Sequence, residues 1–357
     1  MKLRVAMTRT VHLGLSAFAA VATIAATAVD AAVFRPRFDY HVPGEPWAAA
    51  IVDPNHDGSL DIMVTQHRTA FMTIDSKLLV LTNDHEGELT PSSSLPAIEY
   101  GGFLTSADLN LDGRLDAVVV TTSDSVQILL NNADGTWSSS RFREPGDLIY
   151  ARTTDLTGDG YPDLAVANRA SHRVELFLND GAGGFSLWRH INVVGSPRGL
   201  AFLQINNDGI PDIALSVVTT TLNILVSRGF GDYERRTSPM PGFQSHVEAV
   251  DLDHDGDEDL IMGHLQGSSI WTLRNNGDET FGAPVATQVP GLPTRHAILD
   301  FDQDGWMDVA AASGSAVITL LRNVGGNLVR GEDLPSGYVY DGPQVADLHG
   351  NGYPGLV

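Results

Sequence analysis

Cysteine is absent from the 357 residues. That excludes a disulfide framework, a thiolate metal site and a thiol nucleophile. Basic residues are scarce, with 22 Lys plus Arg against 44 Asp plus Glu and a formal net charge of −22. Nucleic acid and anionic membrane surfaces would repel such a chain, so neither is an expected partner. Beyond the first thirty residues no apolar run is long enough to span a bilayer. A serine elbow, a phosphate loop and an HExxH motif are also missing, and no catalytic residue is assigned.

The N-terminus differs from the rest. Lys2, Arg4 and Arg9 precede the apolar stretch "VHLGLSAFAAVATIAATAV", which closes in small residues. This pattern predicts a secretory signal peptide over residues 1–32, cleaved near 28–32. The remainder, residues 33–357, is expected to be secreted, periplasmic or cell-surface, with no membrane span after the leader is removed.

An acidic nonapeptide then recurs. It reads "DPNHDGSLD" from Asp53, "DLNLDGRLD" from Asp108, "DLTGDGYPD" from Asp155 and "QINNDGIPD" from Gln204. "DLDHDGDED" follows from Asp251, "DFDQDGWMD" from Asp300 and "DLHGNGYPG" from Asp347. The start-to-start steps are 55, 47, 49, 47, 49 and 47 residues, a repeat architecture. Each loop is followed by a short run such as "LDAVVVTT" or "PDLAVAN", a second run ending in Asn/Gly turn chemistry, and an aromatic-led strand. With the apolar run before the loop, each unit is four short strands. The expected fold is all-β: a seven-bladed β-propeller with six full blades and an incomplete seventh. After Asp347 the chain offers only "LHGNGYPGLV", and "VFRPRFDYHV" at 33–42 is the candidate N-terminal strand to close the ring. EF-hands also start D-x-[DN]-x-D-G, but they need a Glu at loop position 12. Val64, Val119, Val166, Leu215, Met262 and Ala311 stand there instead.

Crowded carboxylates repel unless a cation sits among them. Calcium takes six to eight oxygens at flexible geometry. Positions 1, 3, 5 and 9 can supply side-chain oxygens, position 7 a carbonyl, and the position-6 glycine a sharp turn. The first loop offers Asp53, Asn55, Asp57, Ser59 and Asp61, and the second Asp108, Asn110, Asp112, Arg114 and Asp116. The third offers Asp155, Thr157, Asp159, Tyr161 and Asp163, and the fourth Asn206, Asp208, Ile210 and Asp212. Richest are Asp251, Asp253, Asp255, Asp257 and Asp259, then Asp300, Asp302, Asp304, Trp306 and Asp308. The alternative is a set of Asx turns that satisfy their own backbone without metal. Five or six calcium sites are expected, strongest at 251 and 300 and weakest at the 204 loop. None is expected at the 347 loop, where His349, Asn351 and Gly355 replace carboxylates. At dissociation constants of roughly 10⁻⁴ to 10⁻³ M and about 1 mM calcium, each site adds roughly 0.4–1.4 kcal/mol.

These loops, with "TFGAPV" carrying Phe281-Gly282 and Ala283-Pro284, resemble the FG-GAP/VCBS repeat family, also found in integrin alpha subunits. Other repeats keep only an aromatic of that second motif, at Phe142, Phe185 or Tyr233. The resemblance implies seven blades with calcium between the first two strands of a blade. It also implies adhesion, ligand binding or scaffolding, with a minority of carbohydrate-active enzymes.

Aligning the starts of the first strands brings together Trp47, Phe103, Tyr150, Arg198, His246 and the pair Arg295-His296. In a propeller these gather at the channel mouth opposite the acidic loops. They could grip a sugar or an acidic ligand, supply a base, or simply plug the channel. The expected function is an exported calcium-binding module for a surface protein or polysaccharide. The alternative is a lyase-like enzyme at the same mouth.

Overall fold

The computed structural model describes residues 45–70, 73–96, 101–314, 316–336, 342–353 and 355–356. The leader and the closing strand expected at 33–42 lie outside the described residues. More than half of them lie in six four-stranded antiparallel sheets. The first comprises β1 (Glu45–Val52), β2 (Asp61–Ala70), β3 (Thr73–Asn83) and β4 (Leu89–Pro96). The second is β5 (Gly101–Ala107), β6 (Asp116–Thr121), β7 (Ser125–Asn131) and β8 (Trp137–Arg143). The third is β9 (Leu148–Thr154), β10 (Asp163–Asn168), β11 (Arg173–Asn179) and β12 (Phe185–Asn192). The fourth is β13 (Pro197–Leu203), β14 (Asp212–Val217), β15 (Thr221–Ser227) and β16 (Tyr233–Pro239). The fifth is β17 (Gln244–Val250), β18 (Asp259–His264), β19 (Ser269–Leu273) and β20 (Val285–Gln288). The sixth is β21 (Pro293–Leu299), β22 (Asp308–Ser313), β23 (Val317–Val324) and β24 (Asn327–Pro335). A two-stranded pair, β25 (Val345–Ala346) and β26 (Gly355–Leu356), follows. No helix occurs among the described residues.

Strand order within each sheet follows chain order, so every connection is a hairpin. The second strands show why the sheets stack as blades. "DAVVVT", "DLAVAN", "DIALSV" and "DVAAAS" are buried at every position. A strand apolar on both faces needs a neighbour on both faces. Each fully buried Val or Leu contributes about 1.5–3 kcal/mol relative to exposure. The fourth strands, "WSSSRFR" and "YERRTSP" among them, are mostly exposed and polar. First strands lie side by side in chain order, β1 to β5, β9, β13, β17, β21 and β25.

The blades are also latched. Asn179 Nδ2, at the end of β11, donates to the Leu109 carbonyl in the preceding blade's loop at 2.7 Å. Asn323 does the same to Leu252 at 2.8 Å, and Asn131 to Asp53 at 3.4 Å. In the first sheet Asn83 Nδ2 donates to the Leu348 carbonyl at 2.6 Å. Leu348 packs on that sheet's core, and Gln303 donates to the Gly352 carbonyl at 3.1 Å. The β25–β26 segment is thus bonded to the sixth and the first sheet.

Candidate functional site

Each acidic loop joins the first strand of a sheet to the second, and all seven share one backbone path. The position-6 glycine is left-handed throughout, from Gly58 at φ 84° to Gly352 at φ 80°. Position 4 is left-handed too, at His56, Leu111, Asn207, His254 and Gln303. That second turn costs a non-glycine residue strain. The position-1 side chain spans both turns: Gly113 N donates to Asp108 Oδ2 at 2.8 Å and Gly256 N to Asp251 Oδ2 at 3.0 Å.

Position 9 is a keystone. Asp116 Oδ1 accepts the Asn131 amide at 2.8 Å, and its Oδ2 accepts the Leu109 amide at 2.9 Å. Asp163, Asp212 and Asp308 repeat the arrangement with Asn179 and Leu156, Ser227 and Ile205, and Asn323 and Phe301. These carboxylates are fully buried. Burial pushes Asp116 and Asp212 up to about 6 and Asp308 to about 7. From the sequence alone position 9 is expected only as a ligand. The structure also assigns it the junction between loop and third strand.

Positions 1, 3 and 5 converge in two loops. Carboxylate oxygens of Asp251, Asp253 and Asp255 lie within 4.8 Å of one another, as do those of Asp300, Asp302 and Asp304. Asp251 Oδ1 and Asp253 Oδ1 are buried without a hydrogen-bond partner, as is Asp53 Oδ1. Orphaned buried anionic oxygens fit a hard dication taking oxygen ligands. Arginines supply part of the counter-charge: Arg322 Nε meets Asp302 at 2.8 Å, and Arg274 pairs with Asp253 and Asp259. His254 of one loop stacks on Trp306 of the next, ring centroids 4.2 Å apart. In the 347 loop Asp347 Oδ1 and Oδ2 accept backbone amides, and Asn351 Oδ1 accepts that of Tyr353.

A cavity of about 620 Å³ runs inside the ring of first strands. Tyr150, His246, Arg295 and His296 line it, as the strand alignment anticipated, together with Phe103. Register shifts between Gly101/Phe103, Pro197/Gly199, Gln244/Val247 and Pro293/Arg295 place a bulge at the same point of successive strands. Such bulges re-aim side chains. Gly199 takes the corresponding place on β13, where an added Cβ would meet Ser216 Oγ at 3.1 Å. Trp47 is 43% exposed, and neither it nor Arg198 lines the cavity.

Tyr150 Oη and His246 Nε2 are 3.0 Å apart, and Arg152 donates to Tyr150 Oη from Nε at 3.2 Å and Nη2 at 3.0 Å. Arg152 also pairs with Glu248. Both sit two residues along the same strands from Tyr150 and His246, so strand alternation could have found them. The Arg295 guanidinium stands 4.9 Å from the Tyr150 ring centre and 5.2 Å from that of Phe103. Burial drives His246 well below the usual histidine value and His296 to about 3, so both are neutral. Burial raises Tyr150. Arg198 is half-buried. Burial, then Arg169 and Arg295, hold it below the ordinary arginine value.

Six sheets stacked around a cavity define the class: a β-propeller. Residues 155–215 and 205–262 match the family model of the FG-GAP-like repeat, so this part of the chain carries that repeat. In the fifth sheet the Phe281-Gly282 segment bridges Asn275 to Phe281 and bonds Gly282 N to the Arg274 carbonyl at 2.7 Å. No curated protein matches the sequence. Among solved structures the chain resembles an Agrocybe aegerita lectin that recognises non-reducing terminal N-acetylglucosamine. The TM-score is 0.57 at 17% identity, over 83% of this chain and 81% of that one. It also resembles a Lactobacillus plantarum protein, with TM-score 0.64 at 14% identity over 82% and 86%. A putative 6-phosphogluconolactonase from Bacteroides uniformis gives 0.61 at 17% identity over 82% and 86%. At these identities the likeness is one of fold. No helix among the described residues is long and apolar enough to cross a membrane.

Proposed function

We propose that this is an exported, calcium-stabilised propeller that binds a surface polysaccharide or protein through an acidic group held at the channel mouth. The observation that carries the reading is Arg198, which stands beside the cavity, close enough for Arg295 of its lining to act on it, rather than on the lining itself. Its guanidinium has no ion-pair or hydrogen-bond partner among the described residues, and the charges acting on it are the cations Arg169 and Arg295. In a chain of net charge −22, a half-buried, uncompensated cation beside another suits an incoming carboxylate or sulfate. Phe103 and Tyr150, buried with the Arg295 guanidinium against both rings, line the cavity beside it. Calcium at the 251 and 300 loops, and more weakly at the 53, 108, 155 and 204 loops, would hold the opposite face. The β25–β26 pair is read as the inner half of a seventh blade.

The test is retention on acidic and neutral polysaccharides at millimolar calcium, with Arg198→Gln beside the wild type. Acidic glycans should be retained, at least tenfold less by the variant. Equal retention by both proteins would refute the mouth as the site. A lyase reading draws on the Tyr150–His246–Arg152 contact. New unsaturated sugar ends, lost in Tyr150→Phe, would support it. The raised Tyr150, which keeps its proton, counts against it.

A further inference from the structure

We propose that Glu144, Glu175 and His190 form a binding site for a borderline dication such as Zn²⁺ that staples the second sheet to the third, distinct from the acidic loops and independent of the function proposed above. Glu175 lies on β11 and faces His190 on β12 in direct register. Glu144 follows β8 in the preceding sheet. One ligand atom from each lies within 4.8 Å of the other two. A tetrahedral zinc with bonds of about 2.0–2.1 Å holds its ligands about 3.3 Å apart, so the direct His190–Glu175 contact would open and Glu144 would close in to complete the site.

The case rests on where these groups are buried. Glu175 is fully buried and Glu144 is 8% exposed. The Glu144 carboxylate meets no hydrogen-bond donor and no ion-pair partner among the described residues, yet it is aimed at a second carboxylate. Arg173, the other charged group near it, donates its Nε to Asn192 Oδ1 at 3.2 Å.

Comparison between blades shows that the Glu144 position, unlike the two facing it, carries no charge in the sheets that follow. The amide of Glu144 donates to the Asp124 carbonyl at 3.0 Å, and Val193, Met240 and Val289 make the same bond in the next three sheets. Those residues are buried and apolar, at 7%, 5% and 4% exposure. The places matching Glu175 and His190 hold Gln127 and Arg141, Asn223 and Thr237, and Trp271 and Ala286. Two carboxylates buried together are expensive unless a cation compensates them. An imidazole nitrogen with two carboxylates is the donor set of a borderline metal rather than of calcium.

The surroundings fit as well. Asn168 Nδ2 donates to Glu175 Oε1 at 3.1 Å and to the Pro145 carbonyl at 3.0 Å, orienting one ligand and the turn after another. His190 pairs with Glu175 through Nδ1 and is exposed, which gives the ion a way in.

Untagged protein stripped with chelator and returned to millimolar calcium would be titrated with Zn²⁺ by calorimetry, with Co²⁺ absorption as a second readout. The expected result is one zinc equivalent bound in the presence of calcium, with proton release. Glu144→Val, which copies the residue of the next blade, should keep the fold and weaken zinc at least about a hundredfold. His190→Ala should do the same, and Asn168→Ala should weaken it about tenfold. No tight equivalent in the wild type, displacement by calcium, or equal affinity in Glu144→Val would each overturn the site. A wild type that binds no zinc beside a more stable Glu144→Val would show a proton-sharing carboxyl pair instead, and would equally overturn it.

Discussion

Replacing Asn179 by Ala removes one latch between the second and third blades while leaving every charge in place. The side chain is 5% exposed. Its Nδ2 donates to the buried Leu109 carbonyl at 2.7 Å and to the Pro162 carbonyl at 3.0 Å, and its Oδ1 accepts the Gly181 amide at 3.1 Å. A buried carbonyl left without a donor costs about 1–3 kcal/mol, and a partly exposed one about 0.5–1.5. The expected loss is about 2–4 kcal/mol. The backbone bond from Asn179 N to Asp163 is untouched, so the loss belongs to the latch. Asn179→Asp should cost more than Ala despite its shape, because it turns a carboxylate oxygen toward two carbonyl oxygens. Asn327, exposed and bonded within its own turn to Gly325 at 3.3 Å, is the control. Its Ala variant should stay within about 0.5 kcal/mol of the wild type. The assay is urea unfolding at saturating calcium, repeated in chelator, with the slope checked for constancy. A loss for Asn179→Ala no larger than for Asn327→Ala would refute the latch as an energetic element.

Calcium should raise the unfolding midpoint, and Asp253→Ala or Asp302→Ala should forfeit more of that gain than Asp208→Ala. Differential scanning calorimetry with and without calcium reads this, and equal losses from all loops would overturn the carboxylate ordering. Buried neutral histidines should make the protein acid-sensitive. His296 has a folded value of about 3 against 6.5 unfolded, so below about 6.5 the unfolded chain binds the extra proton and stability falls as pH falls. The slope is about 1.4 kcal/mol per pH unit down to about 3. Wild-type stability should therefore drop more steeply between pH 6 and pH 4 than that of His296→Leu; parallel curves would show that His296 titrates normally.

The seven-fold recurrence of the acidic loop was legible because a repeat leaves its period in the chain, and the period implies stacked four-stranded units. The strand alignment located Tyr150, His246, Arg295 and His296 for the same reason: equivalent positions in a ring of blades face one cavity. What escaped that reasoning depends on partners from neighbouring blades. Trp47 aligned with the cluster but does not line the cavity, because alignment carries strand position and not the direction set by a bulge. The Asn latches look like ordinary turn residues until Leu109, 70 positions away, is found beneath Asn179. Arg152 and Glu248 bind each other across 96 positions, and no local pattern pairs them.

The acidic loops show how far composition misleads about a site. Six carboxylates between Asp251 and Leu260 read as one charge problem with one solution, a cation. The structure divides them among three tasks. Asp251 bridges the turn, Asp259 ties loop to third strand and meets Arg274, and Asp253 leaves one buried oxygen without a hydrogen-bond partner. Only the oxygens left after the backbone is satisfied remain for a metal alone. Loops that share one backbone path can therefore differ widely in affinity. The 347 loop keeps that path through its Asp347 and Asn351 bonds, so its shape owes more to these hydrogen bonds than to any ion.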